Sequence, residues 1–289
     1  MKNSLTFLSL RVGAMLVVSV VLGWSWVVTR AAQSETAPRS ATNSRAQVAD
    51  TETTEIRVHV IARGGKYLGD DVGGALVTIR DARTHEFLAS GVTKGGSGLA
   101  DLMTIERART TPLPTQDASV FTTTLKLAEP RLLEFEAFGP LAAQGSANRV
   151  TSTEWVLPQS FVPHGNAVTL ELAGLNVDAL SPPTHFLPKD KPPIKLDVGA
   201  NVTMMCGCPI GPNLPWDPKD FQVVMLVKRP DGKTDTVDLE FDANALDHAP
   251  SQFIARYEAK LSGIYEAIIM AHESKFGNSG SDRVTFIVP

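Results

Sequence analysis

Alternation of apolar and polar residues with a period of two is the feature that most constrains how this chain can fold. Beyond residue 54, nearly every segment alternates in this way or is a short β-branched run bounded by Gly, Pro, Asn or Asp. Such a period is typical of strands with one buried face. No convincing amphipathic helix exceeds two turns. The sequence therefore predicts an all-β protein of two tandem antiparallel β-sandwiches after an N-terminal signal or anchor helix.

The first thirty residues predict export. Lys2 and Arg11 precede an uncharged stretch of seventeen residues, Val12 to Val28, which matches the charged and apolar regions of an export signal. This stretch is at the short end of what spans a bilayer, and Arg30 makes a poor cleavage site. Residues 1–30 are thus a signal peptide or a membrane anchor, and both alternatives stay open. The predicted location is extracytoplasmic, in the periplasm or at the cell surface.

The polar composition of residues 31–54 predicts a disordered tether. The segment is rich in Ala, Ser, Thr, Gln and Glu and contains no aromatic residue, so it cannot bury enough apolar surface to order itself. Removing the first thirty residues leaves 24 of the 27 Lys and Arg against all 31 Asp and Glu. An acidic balance of this size argues against nucleic acid or an anionic membrane surface as the partner. Membrane contact is expected only through the N-terminal segment.

Clustered prolines divide the folded part of the chain. They favour an extended backbone that is incompatible with a sheet, and they occur at Pro182-Pro183 and Pro192-Pro193. The predicted organisation is a first β-sandwich over 55–177, a linker over 178–193 and a second β-sandwich over 194–289.

The first of these domains contains a strand with the pattern G-A-x-V-x-I-x-D, Gly74 to Asp81, then a short polar turn, a strand ending at Gly91, and a Gly-rich turn at Gly95 to Gly98. This order resembles the carboxypeptidase regulatory-like and transthyretin-like sandwich family, which implies a small non-catalytic β-sandwich. Residues 110–123 are expected to form a polar insertion. Residues 139–167 are expected to form a long loop, pinned by a buried Trp155 or, alternatively, acting as a binding loop.

The second domain carries a sharper pattern. Gly199 to Cys206 resembles the B strand of bacterial immunoglobulin-like domains, and Tyr265 stands in the tyrosine-corner position at the start of the F strand. Asp282 to Val288 would be the closing G strand. Where the immunoglobulin F strand would present a second cysteine, this chain has Ala267. Cys206 therefore lacks the partner that the resemblance implies.

The segment Met204-Met205-Cys206-Gly207-Cys208 holds both cysteines of the chain and is the candidate site. In an extended strand, residues two apart are separated by about 6.6 Å at Cα, at the far edge of what a disulfide tolerates, so Gly207 would have to bend the chain. If the strand stays extended, Met204, Cys206 and Cys208 share one face and could bind Cu(I), a soft metal. Three alternatives remain: a local disulfide between Cys206 and Cys208, a soft-metal site, or two reduced thiols.

No catalytic motif or ligand cluster is recognisable in the sequence, and no enzymatic activity or other cofactor is expected. His248 and His272 are available to complete a zinc site, but His272 is expected to face outward. The leading hypothesis is an exported, non-enzymatic accessory protein that binds another extracytoplasmic protein or a cell-surface polymer. The alternative is a periplasmic copper-handling protein that binds Cu(I) through the Met-Met-Cys-Gly-Cys segment.

Overall fold

The computed structural model describes residues 53–104, 106, 108, 111–158, 167–183, 186–245 and 250–289. Strands dominate these ranges, and the all-β class is confirmed. The signal or anchor segment and most of the tether lie outside the described residues, although Thr53 and Thr54 at the end of the predicted tether already belong to a strand. None of the helices in the described ranges has the length and apolar character needed to cross a bilayer.

The first sandwich consists of two four-stranded sheets. Its strands are β1 (Thr53–Ala62), β2 (Leu76–Asp81), β3 (Phe87–Val92), β4 (Lys94–Ser97), β5 (Ala118–Lys126), β6 (Arg131–Gly139), β7 (Asn148–Val156) and β8 (Val168–Leu172), with the single-turn helix α1 (Asp101–Thr104) between β4 and β5. One sheet has the order β4-β5-β1-β8 and the other β3-β2-β6-β7. Strands β1 and β8 pair in parallel, whereas the remaining pairs in these two sheets are antiparallel.

Alternation places the core of this sandwich between the two sheets. In β6, Leu133, Phe135 and Ala137 are fully buried, while the residues between them face outward. They pack with buried residues of the other sheet such as Val58 and Val60 in one continuous apolar cluster. A strand with one buried face has this pattern because successive side chains point to opposite sides.

The second sandwich is a single sheet of seven strands that folds back on itself. Its strands are β9 (Leu175–Ser181), β10 (Ile194–Met204), β11 (Phe221–Lys228), β12 (Thr234–Phe241), β13 (Gln252–Ala259), β14 (Gly263–Glu273) and β15 (Asn278–Val288), in the order β15-β14-β11-β12-β13-β10-β9. Strand β12 pairs with β11 and, at Glu240 and Phe241, with β13, so it passes from one layer to the other. The two ends of the sheet meet, since the Ala179 backbone N–H donates to Asp282 Oδ2 at 2.8 Å.

This arrangement is an immunoglobulin-like β-sandwich, and several sequence predictions for it are confirmed. Tyr265, Ala267, Ile269 and Ala271 face the core in β14, and His272 faces outward. The finer assignments, to carboxypeptidase regulatory-like domains for the first sandwich and to bacterial immunoglobulin-like domains for the second, remain predictions.

Strand β9 overlaps the linker that the sequence predicts over 178–193. It begins at Leu175, inside the predicted first domain, and ends at Ser181, inside the predicted linker. It pairs with β10 from Leu175, opposite Met204, to Ser181, opposite Gly199. The proline-rich segment therefore connects two neighbouring strands of one sheet. The division into two independently folding domains stays a proposal, with its boundary moved to residues 173–174.

Three expectations for the first sandwich are corrected by the structure. Residues 139–167 are not one long loop, because β7 occupies Asn148–Val156 and pairs with β6 along its whole length. Trp155 is not buried, since it lies on the outer face of this edge strand. The expected polar insertion over 110–123 overlaps β5, which begins at Ala118.

Candidate functional site

The segment that holds both cysteines is a tight turn at the end of β10. The Gly207 backbone N–H donates to Met204 O at 2.8 Å, and the Met204 N–H donates to Cys208 O at 3.2 Å. Gly207 has φ of 72°, a left-handed conformation that glycine adopts without steric cost. The strand does not stay extended, so Met204, Cys206 and Cys208 do not form one face of a strand. Gly207 bends the chain, which is the condition that the sequence sets for a local disulfide.

Both thiols are buried and interact with each other. Cys208 Sγ also lies 4.0 Å from the carbonyl oxygen of Cys206. Burial acts to raise the pKa of the Cys206 thiol, but hydrogen bonds from the Cys208 thiol and the Lys66 backbone N–H outweigh it, so this pKa is lowered. The hydrogen bond to Cys206, together with burial, raises the pKa of Cys208. Cys206 is therefore the first thiol to ionise, and Cys208 keeps its proton.

The turn lies at the contact between the two sandwiches. A Cβ placed on Gly65 of the first sandwich would lie 3.1 Å from Cys206 Sγ, and one placed on Gly207 would lie 2.6 Å from Val72 Cγ1. Nearby, Trp216 Nε1 donates to Gly64 O at 3.0 Å. Trp216 is itself buried. The cysteines are thus part of a packed junction.

A second hydrogen-bonded contact joins the sandwiches beside this turn. Asn278 Nδ2 donates to Arg63 O at 3.1 Å, and Asn278 Oδ1 accepts from the Gly174 N–H at 3.0 Å. Because Asn278 is fully buried, both bonds are shielded from water and hold the junction in one arrangement.

The assignment of Met204, Cys206 and Cys208 as a Cu(I) site stays a prediction. Within the described ranges, no group of three or more His, Cys, Asp or Glu side chains is arranged to hold a metal ion. His248, one of the histidines considered for a zinc site, lies outside those ranges. His272 is exposed, and its Nδ1 lies 3.0 Å from Ser279 Oγ.

A different site, which the sequence reasoning missed, is the outer face of the sheet β3-β2-β6-β7. We call it the aromatic face and define it by Phe87 on β3, Arg80 on β2, Glu134 on β6, Thr153 and Trp155 on β7, and Arg83 in the turn after β2. The register places Phe87 opposite Arg80, Arg80 opposite Glu134, and Glu134 opposite Thr153. These side chains therefore cross the whole sheet in one row, with Trp155 two residues farther along β7.

Two large rings stand at opposite edges of the aromatic face. Phe87 and Trp155 are each 57% exposed. The Arg80 guanidinium lies 5.8 Å from the centre of the Phe87 ring, and the Arg83 guanidinium lies 5.2 Å from that of Trp155. Such cation–π contacts hold both partners at the surface in a defined orientation.

Asp81 fixes the turn that carries Arg83. Its carboxylate accepts hydrogen bonds from the backbone N–H groups of Thr84 at 2.8 Å and Arg83 at 2.9 Å. Arg131 Nε donates to the other carboxylate oxygen at 2.9 Å. These contacts, first the bond from Thr84, lower the pKa of Asp81 to about 2. Asp81 therefore stays ionised and keeps the turn rigid at neutral pH.

Comparisons with known proteins give no family assignment. No protein-family model matches the chain. No curated protein sequence matches it either.

Among solved structures, the chain is similar to the fibronectin(III)-like modules of Clostridium thermocellum CbhA, with 11% identity, a TM-score of 0.27, and coverage of 82% of this chain and 93% of that one. It is also similar to a tetra-tandem repeat in the extending region of a large adhesion protein, with 12% identity, a TM-score of 0.27, and coverage of 82% and 50%. An ICAM-5 D1–D4 ectodomain fragment is similar with 10% identity and a TM-score of 0.22, and the match covers 82% of this chain and 50% of that one. At these low scores the immunoglobulin-like description rests on the strand order and register of the chain itself.

Proposed function

We propose that this chain is an exported, non-enzymatic binding protein of two β-sandwich domains that acts through contacts with a protein or a polysaccharide. The observation that carries the proposal is the exposure of Phe87 and Trp155 on one face. Each ring is oriented by an arginine side chain, and both stand on one sheet surface, so a partner can contact the two together. Trp and Arg are also among the residues that most often dominate binding energy at interfaces.

The N-terminal segment supports the extracytoplasmic location. A signal peptide or anchor over residues 1–30 would place the sandwiches outside the cytoplasm. The partner would then be another extracytoplasmic protein or a cell-surface polymer. The packed junction between the sandwiches suits this role, since it fixes the direction in which the aromatic face points.

Binding of the labelled full-length chain to isolated envelope fractions tests the proposal. Trp155→Ala is expected to lower binding at least tenfold, because it removes the larger exposed ring. Ile264→Ala is the matched control, since Ile264 is also an exposed apolar residue, 63% exposed on the second sandwich. Equal binding by these two variants, both folded by circular dichroism, would contradict the proposal.

A further inference from the structure

We propose that the aromatic face binds a polysaccharide chain of pyranose units. The inference rests on the proposed function and names the chemical class of its partner. The side chains that carry it are Phe87, Arg80, Glu134, Thr153, Trp155 and Arg83.

The separation of the two rings sets the length of the ligand. Phe87 and Trp155 stand on the two edge strands of a four-stranded sheet. Three strand spacings and two residues along the strand place them roughly 16 Å apart. One small molecule of a single ring cannot contact both, so a ligand that engages the whole face is an extended chain.

The polar side chains between the rings match hydroxyl groups. Among the described residues, neither Arg80 nor Glu134 forms an ion pair, although the two stand directly opposite each other in register. Arg80 offers only donors and Glu134 only acceptors, while the Thr153 hydroxyl offers both. A sugar hydroxyl both donates and accepts, so neighbouring hydroxyls of one unit can satisfy all three side chains. The apolar C–H face of a pyranose ring packs on an aromatic ring at either end.

The distribution of polar and apolar groups distinguishes a polysaccharide from a protein partner. Protein interfaces place aromatic anchors near their centre and surround them with a polar rim. The aromatic face has the reverse order, because its rings lie on the two edge strands and the residues Arg80 and Glu134 on the central strands are polar, with Leu132 opposite Trp155 as the apolar exception. A protein docked there would bury Arg80 and Glu134 away from water, which is costly unless each is paired.

The charges on the same sheet surface are nearly balanced. Arg149 Nη1 and Glu136 Oε1 form an ion pair at 2.6 Å, and Arg80 lies across from Glu134. Arg83 adds one positive charge beside Trp155. A polymer bound mainly through stacking and hydroxyl contacts is therefore expected to show weak salt dependence, whereas one bound through carboxylates would weaken as salt rises.

The test measures binding of the full-length protein to purified polymers by affinity electrophoresis and calorimetry. The probes are hydroxyethyl cellulose, soluble starch, chitin oligomers and polygalacturonate, which separate neutral, N-acetylated and uronate-bearing chains. We expect at least one probe to bind, and Trp155→Ala and Phe87→Ala each to raise its Kd at least tenfold. Trp155→Phe keeps a ring and should restore most of the affinity. Glu134→Gln should weaken binding severalfold, and Ile264→Ala should leave Kd unchanged.

The outcomes separate this inference from the proposed function. If none of the four polymers binds, or if one binds equally to wild type and Trp155→Ala, the inference is overturned. Envelope binding that depends on Trp155 and is abolished by protease treatment of the envelope would also overturn it, yet would leave the proposed function standing with a protein partner. Envelope binding that does not depend on Trp155 would overturn both.

Discussion

The Tyr265 hydroxyl makes two hydrogen bonds with the backbone of Leu261, four residues earlier in the chain. It donates to Leu261 O at 2.9 Å and accepts from the Leu261 N–H at 3.0 Å. The ring itself stacks on Phe286, with centroids 5.1 Å apart. This is the tyrosine corner that the sequence predicts, and it ties the start of β14 to the loop before it.

Substitution of Tyr265 by Phe removes both bonds and keeps the stacked ring. We expect a loss of about 1 to 3 kcal/mol in the free energy of unfolding, since each of the two hydrogen bonds contributes about 0.5 to 1.5 kcal/mol in a folded protein. Denaturant titration measures it as a lower midpoint with an unchanged slope. A midpoint equal to that of the wild type would mean that the corner does not contribute to stability.

Gly207→Ala tests the packing of the cysteine turn against the first sandwich. The substitution forces a Cβ into a left-handed backbone at about 1 to 2 kcal/mol and brings it to 2.6 Å from Val72 Cγ1. Gly232→Ala is the matched control, because Gly232 has φ of 79° and no heavy atom within 4 Å of its added Cβ. We expect Gly207→Ala to lower the free energy of unfolding by about 1 to 3 kcal/mol more than Gly232→Ala. Equal losses would show that Val72 relaxes without cost.

Fragments test the boundary between the sandwiches. A fragment of residues 174–289 keeps β9, whereas 190–289 lacks it and exposes the edge of β10. We expect the longer fragment to unfold cooperatively and the shorter one to have a markedly lower melting temperature. The buried side chains of Leu175 and Val177 would each contribute about 1.5 to 3 kcal/mol of apolar burial. Cooperative unfolding at the same temperature for both fragments would restore the original boundary at residue 194.

The copper proposal predicts a ligand requirement at the turn. Cu(I) binding through this segment needs both thiols and the Met204 thioether, so Cys206→Ser and Cys208→Ser should each lose uptake from a Cu(I) chelator. Met204→Leu should weaken uptake without unfolding, since the two side chains have similar volume. Equal uptake by reduced wild type and Cys208→Ser would remove the copper assignment. A count of free thiols in protein purified from an oxidising compartment then separates a disulfide from a reduced pair.

Stability should fall in acid through Asp81. Its pKa in the folded protein is about 2, against an ordinary value of 3.8, so its ionised form stabilises the fold. That contribution is fully present above about pH 4 and is lost as the pH falls through 2, since the unfolded chain takes up the proton first. Asp81→Asn should lower the melting temperature at pH 7 and flatten its decrease between pH 5 and 2. An unchanged acid profile would show that Asp81 is not the group responsible.

The sequence predicts those strands whose two faces differ clearly in polarity. Alternation over 221–227 and 234–241, with the turn Arg229-Pro230-Asp231-Gly232-Lys233 between them, predicts a hairpin, and β11 and β12 agree with it within one residue. Strand β7 cannot be predicted from the alternation, because its threonines, Ser152 and Glu154 give it no continuous apolar face. Strand β5 lacks a clear alternation because of its run of threonines, and β9 is hard to predict because it runs directly into Pro182.

Only part of the candidate sites can be found in the sequence. The composition of the cysteine turn is visible at once, and Gly207 marks the position at which the chain could bend. Its contacts with Gly65 and Lys66 are not, because those residues are about 140 positions away along the chain and meet the turn only through tertiary packing. The aromatic face could have been found only from the register of β3, β2, β6 and β7, which brings Phe87 and Trp155 onto one surface.

The parallel pairing of β1 with β8 gives the first sandwich a mechanical property. Val58 lies opposite Val168, and Ala62 lies opposite Leu172, so the chain enters at one end of this ladder and leaves at the other. Tension between the N-terminal segment and the second sandwich drives the two strands past each other and strains all their hydrogen bonds together. A hairpin pulled apart at its open end would break them one at a time. The protein would therefore resist stretching far better along the direction of the chain than peeling across it.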